Sequence, residues 1–180
     1  MTAGRARSFF ACDDTSHQGN TNTWLTPKEI FEMLKTKFDL DPCTQSSRPF
    51  DTAKKNLCED MGQDGLTAPW HGRVWLNPPY GREIKPWLKK LQTHGNGIAL
   101  VLSRTETLWA QDCLRVVDAV NFIKGRLSFI RQDGSASTNA ANGSMLLAFG
   151  QDNAEVIKGV PGIVFCRSNF SGNILTLEKI

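Results

Sequence analysis

The four residues Asn77, Pro78, Pro79 and Tyr80 are candidates for chemistry because they follow an apolar run that they cannot continue. Proline lacks a backbone donor and holds the preceding residue extended, so the run should end as a strand, with Asn77 and Pro78 just beyond it. The Asn77 side-chain oxygen and the Pro78 carbonyl are then two acceptors, and Tyr80 adds a flat ring. Such a site suits a planar substrate that bears an amino group. The Asn77 amide can also donate, which leaves other planar ligands open.

A second candidate is Asp41 in FDLDPCT, residues 38–44, where another apolar stretch meets an acidic residue and a proline. Ligands of open α/β sheets bind beyond the carboxyl ends of the strands. Asp41 and Asn77 both lie at such an end, which makes this edge of the sheet the expected site. The alternative for Asp41 is a cap on a turn or a helix.

Two helices are predicted around these candidates. TPKE matches a capping box with Thr26 as N-cap and Pro27 at the first helical position, and the apolar spacing after it predicts a helix over residues 27–37. IKPWLKKLQTHG predicts a second helix that stops at Gly95 and buries four apolar side chains, Ile84, Trp87, Leu88 and Leu91. TLWAQDCLRVV also has helical character.

Strands alternate with these helices. GIALVLSR is apolar on both faces, as in a buried parallel strand, and the last third of the chain contains several strand-like runs that indicate antiparallel closure. Residues 45–70 are polar and show no strong period. Trp70 and Trp75 are expected in the core. The alternation predicts an α/β fold with a mostly parallel, doubly wound sheet.

Composition narrows the class of protein. The chain has 180 residues and a net charge of +3, and its five cysteines form no CxxC pair, which argues against a zinc site and for a reduced cytosolic setting. No apolar run is long enough to span a membrane, and the start of the chain lacks the apolar segment of a secretory signal. We expect a flexible arm over residues 1–22 and one domain over residues 23–180.

Several of these motifs occur together in a known family. WxTP at Trp24, LDPCT at Leu40, DGL at Asp64 and VWLNPPY at Val74 resemble the phage-type DNA N6-adenine methyltransferases over about residues 24–149. The resemblance implies a Rossmann-like class I methyltransferase fold, with a mostly parallel twisted sheet and helices on both faces. It also implies S-adenosyl-L-methionine as cofactor, and transfer of a methyl group to the N6 amino group of an adenine flipped out of DNA.

The resemblance assigns roles to residues of this chain. The catalytic motif would be Asn77, Pro78, Pro79 and Tyr80. Cofactor contacts would come from three segments: Trp24, Thr26 and Pro27; Asp41, Pro42 and Cys43; and Asp64, Gly65 and Leu66. The turn DPCTQSS lacks the glycine that related enzymes place there, and Glu59 and Asp60 are the candidates for the acidic residue that binds the ribose.

DNA binding is expected on a basic stretch. Residues 73–131 contain ten lysine and arginine residues against four aspartate and glutamate residues, a local charge of +6. Such asymmetry attracts a polyanion, although a solvated helix face is the alternative. The candidate phosphate contacts are Arg82, Arg104, Lys124, Arg126 and Arg131. Only residues 45–70 and the loop 131–143 are available to read bases, so we expect a short or loose recognition sequence.

Other functions remain open from the sequence. The same NPPY motif occurs in enzymes that methylate RNA adenine or protein glutamine. Cytosine N4 is another candidate acceptor, although enzymes for it more often carry serine in place of Asn77, and a DNA-binding module on a decayed methyltransferase fold is a further alternative. A phage-encoded enzyme would work in the cytoplasm of the bacterial host, where it would protect phage DNA from restriction. The oligomeric state is not fixed by the sequence.

Overall fold

The structure is a computed structural model that describes residues 24–81, 83–130 and 142–167, and the backbone of residues 175–177. The predicted arm over residues 1–22, the candidates Arg82 and Arg131, and most of the loop 131–143 lie outside the described residues. Four α-helices are described, α1 (Lys28–Leu34), α2 (Ile84–His94), α3 (Leu108–Leu114) and α4 (Gln151–Ile157), together with a short 3-10 helix (Glu59–Met61). None of them is long and apolar enough to cross a membrane.

Eight described strands form one sheet: β1 (Leu40–Thr44), β2 (Lys55–Cys58), β3 (Val74–Leu76), β4 (Gly97–Leu102), β5 (Ala119–Ile123), β6 (Ser144–Phe149), β7 (Gly162–Arg167) and β8 (Leu175–Leu177). Their order is β2-β1-β3-β4-β6-β5-β7-β8. The first four pair in parallel, and the pairings that involve β5 to β8 are antiparallel. Only β6 and β7, among the described strands, run against the common direction, so the predicted mostly parallel sheet with antiparallel closure is confirmed.

Helices cover both faces of the sheet. On one face α2 and α3 pack against apolar residues of β3 and β4, including Leu76, Ala99 and Val101. On the other face α1 and α4 pack against the alternate residues of the same strands, including Trp75 and Ile98. The predicted three-layer α/β architecture is therefore confirmed. The burial of Trp75 is also confirmed, and Trp70 is partly buried against the first of these cores.

The strand order creates a crevice. From β1 the chain moves outward to β2 and then returns to form β3 on the opposite side of β1. The connections therefore diverge between β1 and β3, and such a switch point is where open α/β sheets bind ligands. Asn77 follows the carboxyl end of β3 at this point. The prediction that Asp41 lies at the end of its strand is wrong, because Asp41 is the second residue of β1, but it lines the same cavity as Asn77.

The predictions for helix α2 and for the end of strand β3, which rest on clear local sequence patterns, are confirmed. The helix α2 ends at Gly95, which adopts a left-handed conformation, and buries the four predicted residues, Ile84, Trp87, Leu88 and Leu91. β3 ends at Leu76, directly before the Asn77 motif, as predicted.

The predicted capping box is wrong. Helix α1 begins at Lys28 with Pro27 as N-cap, and it ends at Leu34 rather than at residue 37 because Lys35 adopts a left-handed conformation. Thr26 Oγ1 is buried and has no hydrogen-bond partner within the described part of the chain, so it does not cap the helix. Thr26 lines a cavity instead.

Three further features differ from the prediction. The strand β1 continues through Pro42 to Thr44, which is possible because the register with β2 shifts between Asp41 and Thr44. Residues 45–70, read as irregular, contain the edge strand β2. The helix α4 was missed because it follows β6 with a polar run, Gln151 to Asn153, that does not display an apolar stripe.

Candidate active site

The crevice at the switch point joins the two candidate motifs directly. The Cys43 thiol at the end of β1 donates to the Asn77 backbone carbonyl at the end of β3, with Sγ and the oxygen 3.1 Å apart. Burial raises the pKa of Cys43 well above its usual value, and Asp41 raises it further, so the thiol keeps the proton that this bond needs. The Asp41–Cys43 segment of β1 is thereby bonded to the Asn77 motif after β3.

The Asn77 side chain is held at both ends. Its Nδ2 donates to the Trp24 carbonyl, and its Oδ1 accepts from the Tyr80 hydroxyl at 3.0 Å. Trp24 lies next to Leu25, whose backbone exchanges two hydrogen bonds with Ile130 of 2.9 and 3.0 Å. The amide orientation is therefore fixed, with the oxygen facing Tyr80.

Tyr80 is placed as a partly buried ring beside this amide. Its ring meets Phe129 edge-on, with centroids 6.2 Å apart, and burial raises the pKa of its hydroxyl far above the usual value. The hydroxyl is consequently a donor at any working pH and cannot act as a base. The neighbouring Pro78 is buried, and Pro79 is partly exposed.

Asp41 is buried with two hydrogen bonds to its carboxyl group. Oδ1 accepts from the Cys43 backbone N–H at 3.1 Å, and Oδ2 lies 2.5 Å from Thr52 Oγ1. The bond to Cys43 is a local turn contact, so Asp41 has the turn-capping role that the sequence left open. Asp41 also lines the smaller of the two cavities at this edge of the sheet. Burial raises the pKa of Asp41 from 3.8 to about 6, although Thr52, Cys43 and Arg48 act in the opposite direction.

The hydrogen count around Thr52 agrees with this raised pKa. Asn56 Nδ2 donates to the Ala53 carbonyl at 2.8 Å, which leaves Asn56 Oδ1 as an acceptor 2.8 Å from Thr52 Oγ1. A hydroxyl has one hydrogen, so Thr52 cannot donate to both Asn56 and Asp41. A proton on Asp41 completes the set, because the carboxyl group then donates to Thr52.

Two cavities open at this edge of the sheet. The smaller cavity, of about 20 Å³, is lined by Trp24, Thr26, Asp41 and Asn77, among others. The larger cleft, of about 510 Å³, is lined by Pro42, Pro79 and the residues of the DGL motif, Asp64, Gly65 and Leu66. Cys43 and Thr44 line both.

All but one of the predicted cofactor residues therefore line one or the other of these two neighbouring cavities. The exception is Pro27, which serves as the N-cap of α1. Arg48, which sequence reasoning did not select, also lines the smaller cavity, and its guanidinium is held by Asp51 at 2.6 Å.

The DGL motif forms a tight turn over residues 64–68. Asp64 Oδ1 accepts from the Leu66 N–H at 2.8 Å, which lowers the pKa of Asp64, and the Asp64 carbonyl accepts from the Ala68 N–H at 3.0 Å. Gly65 presses against β1: a Cβ atom at this position would lie 1.8 Å from the Pro42 carbonyl oxygen. The glycine is required by this close approach.

The two acidic candidates for the ribose differ in their surroundings. Glu59 lines the larger cleft. The Asp60 carboxylate accepts from the Ser46 backbone N–H at 3.2 Å and also from the Ser46 hydroxyl. Of these two candidates, Glu59 is thus the one that lines the cleft, whereas Asp60 bonds to Ser46.

Three of the basic candidates lie within the described residues. Arg104 follows the carboxyl end of β4 and pairs with Glu106 at 3.1 Å, and Lys124 and Arg126 are exposed beyond the end of β5. Since β4 and β5 run in the same direction as β3, all three lie at the same edge of the sheet as the Asn77 motif. No group of three or more metal-ligating side chains occurs among the residues described.

Comparisons with known proteins show which family this chain resembles. The family described as DNA N-6-adenine-methyltransferase (Dam) matches residues 14–162. A DNA N-6-adenine-methyltransferase of Escherichia phage T1 is 26% identical over 151 residues, and the match covers 68% of this chain and 60% of the phage protein. The chain thus spans less than two thirds of that relative. No solved structure matches.

Proposed function

Because the chain belongs to the DNA N-6-adenine-methyltransferase (Dam) family, we propose that it transfers a methyl group from S-adenosyl-L-methionine to the N6 atom of adenine in DNA. One observation carries the proposal: the Asn77 motif follows β3 at the switch point of the sheet, with Asn77 lining the smaller cavity and Pro79 the larger cleft. The sulfonium methyl group lies between the methionine end and the adenosine end of the cofactor, so a motif that borders both spaces would lie beside the methyl group when the two ends occupy them.

The lining residues match the chemistry of the proposed cofactor. Asp41 offers a carboxylate to an ammonium group, and Thr26 offers a buried hydroxyl that has no partner among the described residues. We assign the methionine end to these residues. A group of that size needs the smaller cavity to widen, since about 20 Å³ holds roughly one water.

We assign the adenosine end to the larger cleft. Its volume of about 510 Å³ falls within the roughly 300–1,000 Å³ of small-molecule sites. The turn over residues 64–68 would contact the adenine ring, and Glu59 would accept from the ribose hydroxyls. When bound, the cofactor supplies a methyl group on a positively charged sulfur.

The Asn77 motif would act on the amino group. The lone pair of adenine N6 is delocalised into the ring, so the nitrogen is a poor nucleophile. Asn77 Oδ1 and the Pro78 carbonyl would accept its two hydrogens and localise the lone pair on N6. No strong base is needed, because N6 releases its proton readily once it carries the methyl group. Positioning and electrostatics are the protein's contribution.

Tyr80 would hold the target base. An adenine within a duplex cannot reach the motif, so it must be flipped out and stacked. The Tyr80 ring lies beside Asn77, and one stack of this kind contributes about 1–3 kcal/mol. Lys124 and Arg126 would contact phosphates at the same edge of the sheet. The proposal places the reaction in the cytoplasm of a bacterial host, in keeping with the phage origin of the T1 relative.

The proposal is tested by mass spectrometry of digested nucleosides. Unmethylated DNA is incubated with the protein and S-adenosyl-L-methionine, in parallel with RNA. We expect N6-methyldeoxyadenosine from the wild type, and a rate about 10²-fold lower for Asn77→Ala with cofactor binding retained. Methylated cytosine alone, methylated RNA alone, or a full rate for Asn77→Ala would contradict the assignment.

A further inference from the structure

One lysine makes contacts that are unusual for a helix surface. Lys90 belongs to α2, and its Nζ lies close to three backbone carbonyl oxygens: 3.1 Å from that of Gly65, 2.7 Å from that of Leu66 and 2.5 Å from that of Ala68. An ammonium group has three hydrogens to donate. All three carbonyls belong to the turn over residues 64–68.

Trp70 reinforces the same contact. Its indole N–H donates to the Gly65 carbonyl at 2.8 Å, and Lys90 Nζ lies 5.0 Å from the centroid of its ring. The ring is therefore positioned for a cation–π contact with the ammonium group. The lysine is thus held from two sides, by the carbonyl oxygens and by the aromatic face.

The arrangement has an electrostatic reason. Carbonyl oxygens that converge on one point repel each other, and a positive charge among them offsets the repulsion. Burial lowers the pKa of Lys90, whereas the nearby Asp64 raises it. An apolar side chain at this position would leave the Leu66 and Ala68 carbonyls without the donor that Lys90 supplies, whereas the Gly65 carbonyl would keep its bond from Trp70.

The turn that Lys90 holds is a wall of the larger cleft. Asp64, Gly65 and Leu66 line this cleft, and so does Trp87, which lies one turn before Lys90 on α2. Gly65 presses on the Pro42 carbonyl, so the turn is wedged between β1 and α2. Any outward movement of the turn would change the width of the cleft.

We propose that Lys90 is a positioning residue for the cofactor: it fixes the turn over residues 64–68 to α2 and so sets the shape of the larger cleft. This inference rests on the proposed function, which assigns the cofactor to that cleft. Lys90 lies behind the turn and acts through its backbone, so its loss affects cofactor affinity and leaves the transfer step intact.

The test compares Lys90→Met with Lys90→Arg and with the control Lys89→Met. Lys89 is the exposed neighbour on the same helix, and its Nζ donates to Gln92 Oε1 on the same helix, at 3.3 Å. Binding of S-adenosyl-L-methionine is measured by calorimetry, and KM and kcat are measured with saturating DNA. We expect Lys90→Met to raise Kd and KM about tenfold or more with kcat within about twofold. Lys90→Arg should recover part of the affinity, and Lys89→Met should match the wild type.

Amide hydrogen exchange separates positioning from general destabilisation. In Lys90→Met without cofactor, the Leu66 and Ala68 amides, which are bonded to Asp64, should exchange faster while the core strands stay protected. Unchanged Kd in Lys90→Met, or exchange that rises equally throughout the sheet, overturns the inference. A wild type that fails to bind the cofactor refutes the proposed function itself, so the two failures are distinct.

Discussion

Replacing Asp41 with asparagine should stabilise the protein at alkaline pH. The carboxyl group is buried and its pKa is raised to about 6. Asparagine has the shape of a protonated carboxyl group: its oxygen can accept from the Cys43 N–H, and its nitrogen can donate to Thr52 Oγ1, as the hydrogen count around Thr52 requires. The substitution therefore preserves both contacts and removes the charge.

The magnitude follows from linkage between protonation and folding. A carboxyl group whose pKa is raised in the folded state contributes fully below its ordinary pKa of 3.8, and stability is lost as pH rises toward 6. A shift of roughly two pKa units corresponds to about 3 kcal/mol of unfolding free energy. Asp41→Asn should therefore exceed the wild type by up to about 3 kcal/mol at pH 8, and the difference should vanish below about pH 4.

Chemical denaturation measures this difference. Unfolding midpoints in urea are compared from pH 4 to pH 8, where a shift at constant m reports stability alone. Asp64→Asn is the matched control, because the Leu66 N–H lowers the pKa of this exposed carboxylate and its stabilising effect is lost on acidification. At pH 8, Asp41→Asn should therefore be more stable to urea than the wild type, and Asp64→Asn should be less stable. Parallel curves for the wild type and Asp41→Asn would refute the reasoning.

Asp41→Asn should weaken cofactor binding, although it stabilises the fold. An ammonium group beside Asp41 favours its ionised form, so cofactor affinity of the wild type should rise as the pH increases toward about 6 and level off above that pH. Asp41→Asn should bind weakly at every pH. A variant that is more stable but binds less well is the pattern expected when burial of a charge serves function.

Two further predictions concern the walls of the site. Tyr80→Phe retains the ring and removes the donor to Asn77 Oδ1, so KM for DNA should stay within about threefold of the wild-type value. Tyr80→Ala should raise this KM roughly tenfold, because the stacking contact is lost. Equal KM values for the two variants in steady-state assays would show that Tyr80 does not bind the base. Gly65→Ala places a Cβ atom 1.8 Å from the Pro42 carbonyl oxygen, so the turn over residues 64–68 must shift. Calorimetry should therefore show both a lower melting temperature and weaker cofactor binding. Wild-type affinity in this variant would show that the turn can move without changing the cleft.

Short-range patterns predicted the elements that carry the site. The burial of α2 and the end of β3 follow from apolar spacing and from two prolines, which act over a few residues. The position of Asn77 at the carboxyl edge of the sheet followed from a general property of parallel sheets. These are features that neighbouring residues determine among themselves.

The rest depends on contacts between distant residues. The local pattern around Thr26 predicts a helix cap, yet Thr26 lines a cavity to which residues of β1 and the residue after β3 also contribute. The contact between Thr52 and Asp41 and the contact between Lys90 and the turn over residues 64–68 join segments that are 11 and 22 to 25 residues apart. No spacing rule within one element indicates such partners. β2 was missed because four residues at a sheet edge show too little periodicity.

The hydrogen bond from Tyr80 to Asn77 Oδ1 makes substrate binding an exchange of donors. An incoming base must replace the tyrosine hydroxyl with an N–H of its own, so a base that lacks an amino group leaves the buried oxygen without a donor. In the proposed reaction adenine brings two N–H groups for two acceptors, and the methylated product retains one. The Tyr80 hydroxyl can then return to Asn77 Oδ1, which favours departure of the product and disfavours a second methylation.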